Sequence, residues 1–239
     1  MCADARSIVG VHGLGYSRPV RRTGRKLLAF DRRFGVRYLA GADEAGRGSL
    51  AGPLVTAGVL FDYELLRDHR VRPLGLLNDS KQVDPAEREA LFRAVTRCAA
   101  RISVRVIPAG TIDRDGLHRS NLRGLREALA ALCPPAEACL VDGFRLGSLA
   151  PEHQAVVDGD EKSAVIAAAS IVAKVVRDRS MRRLDALYPH YGFVSHVGYI
   201  TPRHSAVVRR RGPSDVHRRS FEARCYAELE DAALEAARA

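Results

Sequence analysis

Two adjacent carboxylates, Asp43 and Glu44, close an apolar run at residues 36–42 and open a glycine-rich turn, Gly46-Arg47-Gly48. A compact apolar run of that kind reads as a buried strand. Neighbouring residues of a regular strand point to opposite faces, so both acids share one site only if the strand ends or kinks there. Gly46 and Gly48 supply the backbone freedom for such a kink.

Asp142 ends another apolar run, residues 138–141, and is followed by Gly143. Asp160 sits in Asp158-Gly-Asp-Glu-Lys-Ser163, ahead of the longest helical stretch, residues 163–187. Carboxylates from strand ends and a helix start can converge at one edge of a sheet. Four close carboxylates repel one another, so such a cluster implies a cation. Oxygen ligands without His or Cys imply Mg2+ or Mn2+. Two such ions ~3.5–4 Å apart suit phosphodiester hydrolysis. Taken singly, each acid has a plainer reading. Asp43, Glu44 and Asp142 suit turns, and Asp160 suits a helix N-cap. Gly41-x4-Gly46-Arg47-Gly48 lacks the Lys-Ser/Thr of a phosphate-binding P-loop, and its two acids would repel phosphate, so a nucleoside triphosphatase is excluded.

Further strands are expected at residues 54–61, 102–107 and 154–157, and helices at 85–100, 122–132, 202–210 and 220–237. A short helix is also expected at 27–34. This alternation predicts an α/β fold with a mixed central sheet flanked by helices and a C-terminal helical region. The domain plan is a basic extension over 1–35, a catalytic domain over 36–222 and a C-terminal helix over 223–239.

The chain has 239 residues, enough for one large core or two small ones. Its longest apolar run, residues 164–173, is half the about 20 residues that a membrane-spanning helix needs, and no secretory leader is evident. The expectation is a cytoplasmic protein without membrane contact. Five cysteines without a C-x-x-C pair read as free thiols. The net charge is +10, concentrated in two flanks: nine basic against two acidic residues in 1–37, and eleven arginines against four acids in 177–224. That pattern suggests a polyanion partner, most simply nucleic acid, although a solvated arginine-rich surface explains charge alone equally well. With 34 arginines to four lysines, Lys26, Lys81, Lys162 and Lys174 stand out.

Seven blocks in order resemble the ribonuclease HII family. They are Asp43-Glu44-Ala-Gly-Arg-Gly-Ser-Leu-Ala-Gly-Pro53, Asn78-Asp-Ser-Lys-Gln82, Leu140-Val-Asp-Gly143, Gly159-Asp-Glu-Lys-Ser163, Ala168-Ala-Ser-Ile-Val-Ala-Lys-Val-Val-Arg-Asp178, the segment from Tyr188-Pro-His-Tyr-Gly-Phe through His196-x-Gly-Tyr-x-Thr201 to His204, and His217-Arg-Arg-Ser-Phe221. The match runs across about residues 36–222. The resemblance implies an RNase H-like fold. It also implies an endoribonuclease that cuts the RNA strand of RNA–DNA hybrids, and cuts 5′ of single ribonucleotides in duplex DNA, leaving 3′-hydroxyl and 5′-phosphate ends. By the same resemblance Asp43, Glu44, Asp142 and Asp160 bind two divalent ions, Mn2+ or Mg2+. Gly46, Arg47 and Gly48 read the 2′-hydroxyl, and Tyr199 packs at the RNA-to-DNA junction. Lys81 and His196 are further candidates for nucleic-acid contact. The implied partners are RNA–DNA hybrid and ribonucleotide-containing DNA duplex, and the expected state is a monomer.

Asp178 is set apart from the ligands. On one continuous helix it would lie roughly 27 Å from Asp160, so it is expected to pair with Lys174 and Arg182 instead. Lys81 and Lys162 are candidates for holding phosphate or steadying a carboxylate, and Lys174 for a structural role. The sequence departs from the family at Val197, usually Lys, and at Ile200, usually small. Two rival readings share this fold: a binding module that has lost catalysis, and a DNase or junction resolvase. An intact set of four acids argues against the first, and the Gly-Arg-Gly turn with Tyr199 argues against the second.

Overall fold

A computed structural model describes residues 24–66, 73–77 and 83–229. Lys81, the segment 1–23 and the end of the expected last helix lie outside the described residues. Five strands form one mixed sheet in the order β3-β2-β1-β4-β5: β1 Tyr38–Ala45, β2 Leu54–Asp62, β3 Arg101–Ile107, β4 Ala138–Asp142 and β5 Gln154–Val156. Strands β1, β2 and β3 pair antiparallel, while β4 and β5 continue parallel to β1. The expected α/β class and mixed sheet are therefore present.

The helices are α1 Gly24–Asp31, α2 Pro85–Cys98, α3 Ala109–Asp115, α4 Leu117–Ala130, α5 Gly159–Lys162, α6 Ala164–Leu187, α7 Phe193–His196 and α8 Pro202–Arg211. Helix α6 crosses one face of the sheet and α4 the other. Residues 164–173 of α6 are all buried, as a helix that is apolar all round must be. A Cβ on Gly41 of β1 would stand 2.5 Å from the Val165 backbone, so glycine lets α6 lie directly on the strand. Ser163 caps α6, accepting from the Ile166 amide at 3.4 Å. Asp84 caps α2 and Pro85 fills its first turn, as the Asp-Pro signal predicts.

Helix α1, ahead of residue 36, packs on the main core. Leu27 and Leu28 of α1 are buried in the main core with α6. Asp31 of α1 accepts the Val165 amide at 2.9 Å and the Tyr63 hydroxyl at 2.6 Å, so it anchors the start of α6 from a distance of 134 residues in sequence. The basic composition of the segment hid its two-leucine apolar face. The helix expected at 122–132 starts earlier, at Leu117, and α3 precedes it unforeseen. No helix among the described residues is long and apolar enough to cross a membrane.

Beyond the sheet, α7, α8 and residues 212–229 pack on the segment between β1 and β2. Leu50 meets Val208, Ala223 and Cys225, while Ala51 meets Met181 and Phe193. This C-terminal layer leans against the turn that follows the two acids.

Candidate active site at the ends of the parallel strands

Strand β1 continues in register through both acids, with Asp43 opposite Ala57 and Glu44 opposite Thr56. Of the two alternatives, an end or a kink, the strand takes the first: it stays regular and ends at Ala45. The last β1–β4 pair is Ala42 with Val141, so β1 outruns its parallel neighbour by the length of the acid pair. Asp43 leaves on the α6 face and Glu44 on the α4 face, both at an open strand end. Asp142, the last residue of β4, stands beside Asp43.

Asp43 is buried, and its Oδ1 accepts the Glu44 amide at 2.7 Å. Ser170 of α6 also hydrogen-bonds it. Burial, then the charge of Glu44, then that of Asp142 push its carboxyl well above the usual carboxylate range. Burial also raises Glu44, with Asp142 adding repulsion, while the Arg47 guanidinium at 3.3 Å pulls it back. Asn121 of α4 is fully buried, and its amide polarises Glu44 without completing a hydrogen bond at either atom. Asp142 Oδ1 accepts the Gly159 amide at 2.7 Å, and the next residue, Asp160, is buried in the first turn of α5. Asp160 does not cap this helix, because the N-cap position belongs to Asp158.

The donor set is carboxylate oxygen, the chemistry of a hard divalent cation, and the unrelieved repulsion among Asp43, Glu44 and Asp142 is what such a cation neutralises. Among the described residues no three His, Cys, Asp or Glu side chains are grouped closely enough to hold a metal ion as they stand. Lys162 turns away from the acids: its Nζ donates to the Val157 carbonyl at 2.6 Å and holds the turn into α5. Asp178 takes Lys174 at 2.8 Å, as expected, but its second partner is Arg88 of α2 at 3.4 Å. Arg182 reaches Glu89 and the Asp178 carbonyl instead.

The Gly46–Gly48 turn rests on two fully buried arginines that the sequence did not single out. Arg177 donates to the carbonyls of Pro53 at 3.1 Å, Ala51 at 3.3 Å and Val197 at 2.8 Å. Arg218 donates to Gly52 at 3.1 Å and Arg47 at 2.8 Å. Carbonyls take most of the N–H groups of these cations, while Arg177 Nη1 and Arg218 Nη2 are buried without a partner among the described residues, and burial lowers the pKa of Arg177 and brings Arg218 to about 9. Gly46 has φ +94°, and Gly48 is exposed with open space where a Cβ would stand.

Tyr199 is 40% exposed, with the Arg177 guanidinium 5.5 Å and the Lys174 ammonium 6.0 Å from its ring centre. His196, a candidate for nucleic-acid contact, is 8% exposed and braces its loop from within. Its Nε2 donates to the Tyr191 carbonyl at 2.9 Å, its Nδ1 accepts the Gly198 amide at 3.2 Å, and its ring stacks on His204. Neither ring nitrogen is left for a ligand. Val197 adopts φ +41°, a left-handed conformation that β-branched residues rarely enter.

Comparison with known proteins places these features in context. The family model described as Ribonuclease HII matches residues 40–224. The chain is 44% identical over 204 residues to a Ribonuclease HII of Geobacillus thermodenitrificans, covering 84% of this chain and 76% of that protein. It is 47% identical over 205 residues to one of Salinispora arenicola, covering 84% and 74%. Among solved structures, ribonuclease H2 from Pyrococcus horikoshii superposes with a TM-score of 0.68 at 28% identity, covering 82% of this chain and 98% of that one. Bst-RNase HIII in complex with Mn2+ shares the fold with a TM-score of 0.58 at 20% identity, covering 96% and 77%.

Proposed function

This chain belongs to the ribonuclease HII family and is an endoribonuclease acting on RNA–DNA hybrids; we propose that it also cuts duplex DNA 5′ of a single embedded ribonucleotide, leaving 3′-hydroxyl and 5′-phosphate ends. One juxtaposition carries the reading. A buried group of mutually repelling carboxylates lies at the foot of a turn whose exposed residue, Gly48, has no packing reason to be glycine.

Asp43, Glu44, Asp142 and Asp160 are the residues that would hold divalent cations, Mn2+ or Mg2+. When bound, such ions supply Lewis acidity for activating water and for stabilising the departing 3′-oxygen. The chain's own groups orient the acids. Ser170 and the Glu44 amide hold Asp43, the Gly159 amide holds Asp142, and Arg47 draws Glu44 toward the turn. The backbone at Gly46, Arg47 and Gly48 can approach a ribose closely, and the 2′-hydroxyl is the group that separates RNA from DNA. The half-exposed ring of Tyr199 offers an apolar face to the sugar at the RNA-to-DNA junction.

The test is cleavage of a labelled DNA duplex carrying one ribonucleotide, with Mg2+ or Mn2+, beside an all-DNA duplex and an RNA–DNA hybrid. A single cut 5′ of the ribonucleotide with the all-DNA control intact is expected. Cutting of all-DNA would replace this reading with a general nuclease, and binding without cutting under either metal with an inactive binding module.

A further inference from the structure

We propose that His217 and Arg218 are positioning residues that fix the register between the Gly46–Gly48 turn and the Tyr199 loop, and so set the enzyme's preference for a single ribonucleotide over continuous hybrid. The functional half of this inference rests on the role assigned above to Tyr199.

Residues 216–218 lie against the segment that follows the turn. Ala51 bridges to His217, the Gly52 amide donates to the Val216 carbonyl at 2.8 Å, and the Arg218 amide donates to the Leu50 carbonyl at 2.8 Å. Side chains of neighbouring residues in extended backbone diverge, and these two go to different loops. Arg218 reaches the carbonyls of Gly52 and Arg47. His217 reaches His204, which in turn holds Tyr199.

The protonation of that second arm follows from its fixed ends. A carbonyl only accepts, so His204 Nδ1 carries the proton it gives to the Tyr199 carbonyl at 2.9 Å. Neutral His204 then presents Nε2 as an acceptor, and His217 Nε2 must donate to it across 3.0 Å. His217 Nδ1 is left as an acceptor, and it takes the Ser214 amide at 3.0 Å. Each ring nitrogen thus has one role, and the chain runs Ser214 to His217 to His204 to Tyr199 in a single direction. The two histidines at its centre are buried, where an unmade bond is costly. The two loops also touch directly, through the Ala51 amide and the Gly198 carbonyl at 3.1 Å, and Arg177 bonds both from α6. The His217-Arg218 pair closes the opposite side of the same contact.

Two isosteres isolate the bond. His217→Asn keeps an acceptor for the Ser214 amide but loses the donor to His204, whereas His217→Gln keeps a donor at the Nε2 position. The ratio of kcat/KM on a one-ribonucleotide duplex to that on a uniform hybrid is expected to fall about tenfold in H217N and to stay within about threefold in H217Q. His204→Asn, which retains a donor for the Tyr199 carbonyl, removes the same bond from the other side and should match H217N. Amide hydrogen exchange gives a reading independent of substrate. H217N should speed exchange at residues 196–201, Arg218→Lys should speed it at 46–49, and neither should change α2. Equal effects of the Asn and Gln variants, or unchanged exchange in both loops, would overturn the coupling. Tyr199→Ala, run alongside, separates the two ideas. If it leaves the selectivity ratio intact while H217N still loosens residues 196–201, the junction role fails and the mechanical coupling stands.

Discussion

A Cβ built on Gly46 would stand 2.0 Å from Nε of Arg177, a fully buried side chain whose guanidinium already donates to three backbone carbonyls. The glycine and the arginine specify each other. At Gly48, two residues on, a Cβ would meet nothing within 4 Å.

The two glycines should therefore fail differently. Gly46→Ala is expected to destabilise the fold by about 2 kcal/mol or more, through overlap and a φ of +94°. Gly48→Ala should melt within about 0.5 kcal/mol of the parent, yet cut a one-ribonucleotide duplex at least about tenfold more slowly if a ribose backs against that residue. Thermal melting and single-turnover cleavage of both variants check this. An unimpaired G48A would mean that no substrate atom approaches residue 48.

Asp43→Asn removes one charge from a buried, self-repelling group. Cutting should fall by about a thousandfold or more while binding to the same duplex persists. Gel-shift and cleavage measurements on one preparation decide the matter, and surviving activity would remove Asp43 from the ligand set.

Asp178→Asn should leave chemistry within about threefold, because this acid serves Lys174 and Arg88 rather than the site, and should cost about 1 kcal/mol of stability. A loss of cutting as deep as that of D43N would reinstate it as a ligand.

Burial raises the Asp31 carboxyl to about 6 from 3.8. Both states are neutral below pH 3.8. As pH rises from there, the unfolded chain ionises first, so stability falls until the folded carboxyl has also titrated near pH 6. The ionised group then costs the folded state about 3 kcal/mol. Asn offers one acceptor for both the Val165 amide and the Tyr63 hydroxyl, so Asp31→Asn should stabilise the protein at pH 7.5, with the gain vanishing near pH 4. Urea melts across that range test the sign. A variant weaker than the parent at pH 7.5 would show that the charge itself holds α6.

Val197→Lys replaces a β-branched residue at φ +41° with an unbranched cation. Stability should not fall, and the salt dependence of duplex binding should steepen by about one phosphate contact. An unchanged slope would place residue 197 away from the nucleic-acid backbone.

The positions of Asp43 and Asp142 were legible because apolar runs ending in Asp and Gly mark where strands stop, and that of Asp160 because it precedes a long helical stretch. How the first two acids meet was not. The sequence left open whether the strand ends or kinks there; β1 stays regular, ends at Ala45 and outlasts β4, a matter of register between segments about a hundred residues apart. The internal bonds of His196 and Arg177 were not legible either: polar residues in a motif look like contacts, and only the packed chain shows that their partners are backbone groups. Asn121 and Ser170, which support the acids from α4 and α6, carry no local signal, since nothing in their neighbours reveals which face of the helix meets the strand end. A short helix near residues 27–34 was legible, but its packing on α6 was not, because the basic composition of the segment suggested an extension.

The bond from Arg218 to the Arg47 carbonyl spans 171 residues. On a ribosome, all four acids are polymerised by residue 160, well before residues 217 and 218 exist. A nascent chain therefore carries all four candidate ligands while the Gly46–Gly48 turn still lacks one of its ties. Chain order thus separates the two: the candidate ligands are made first, and the tie that joins the turn to residue 218 follows them by more than fifty residues.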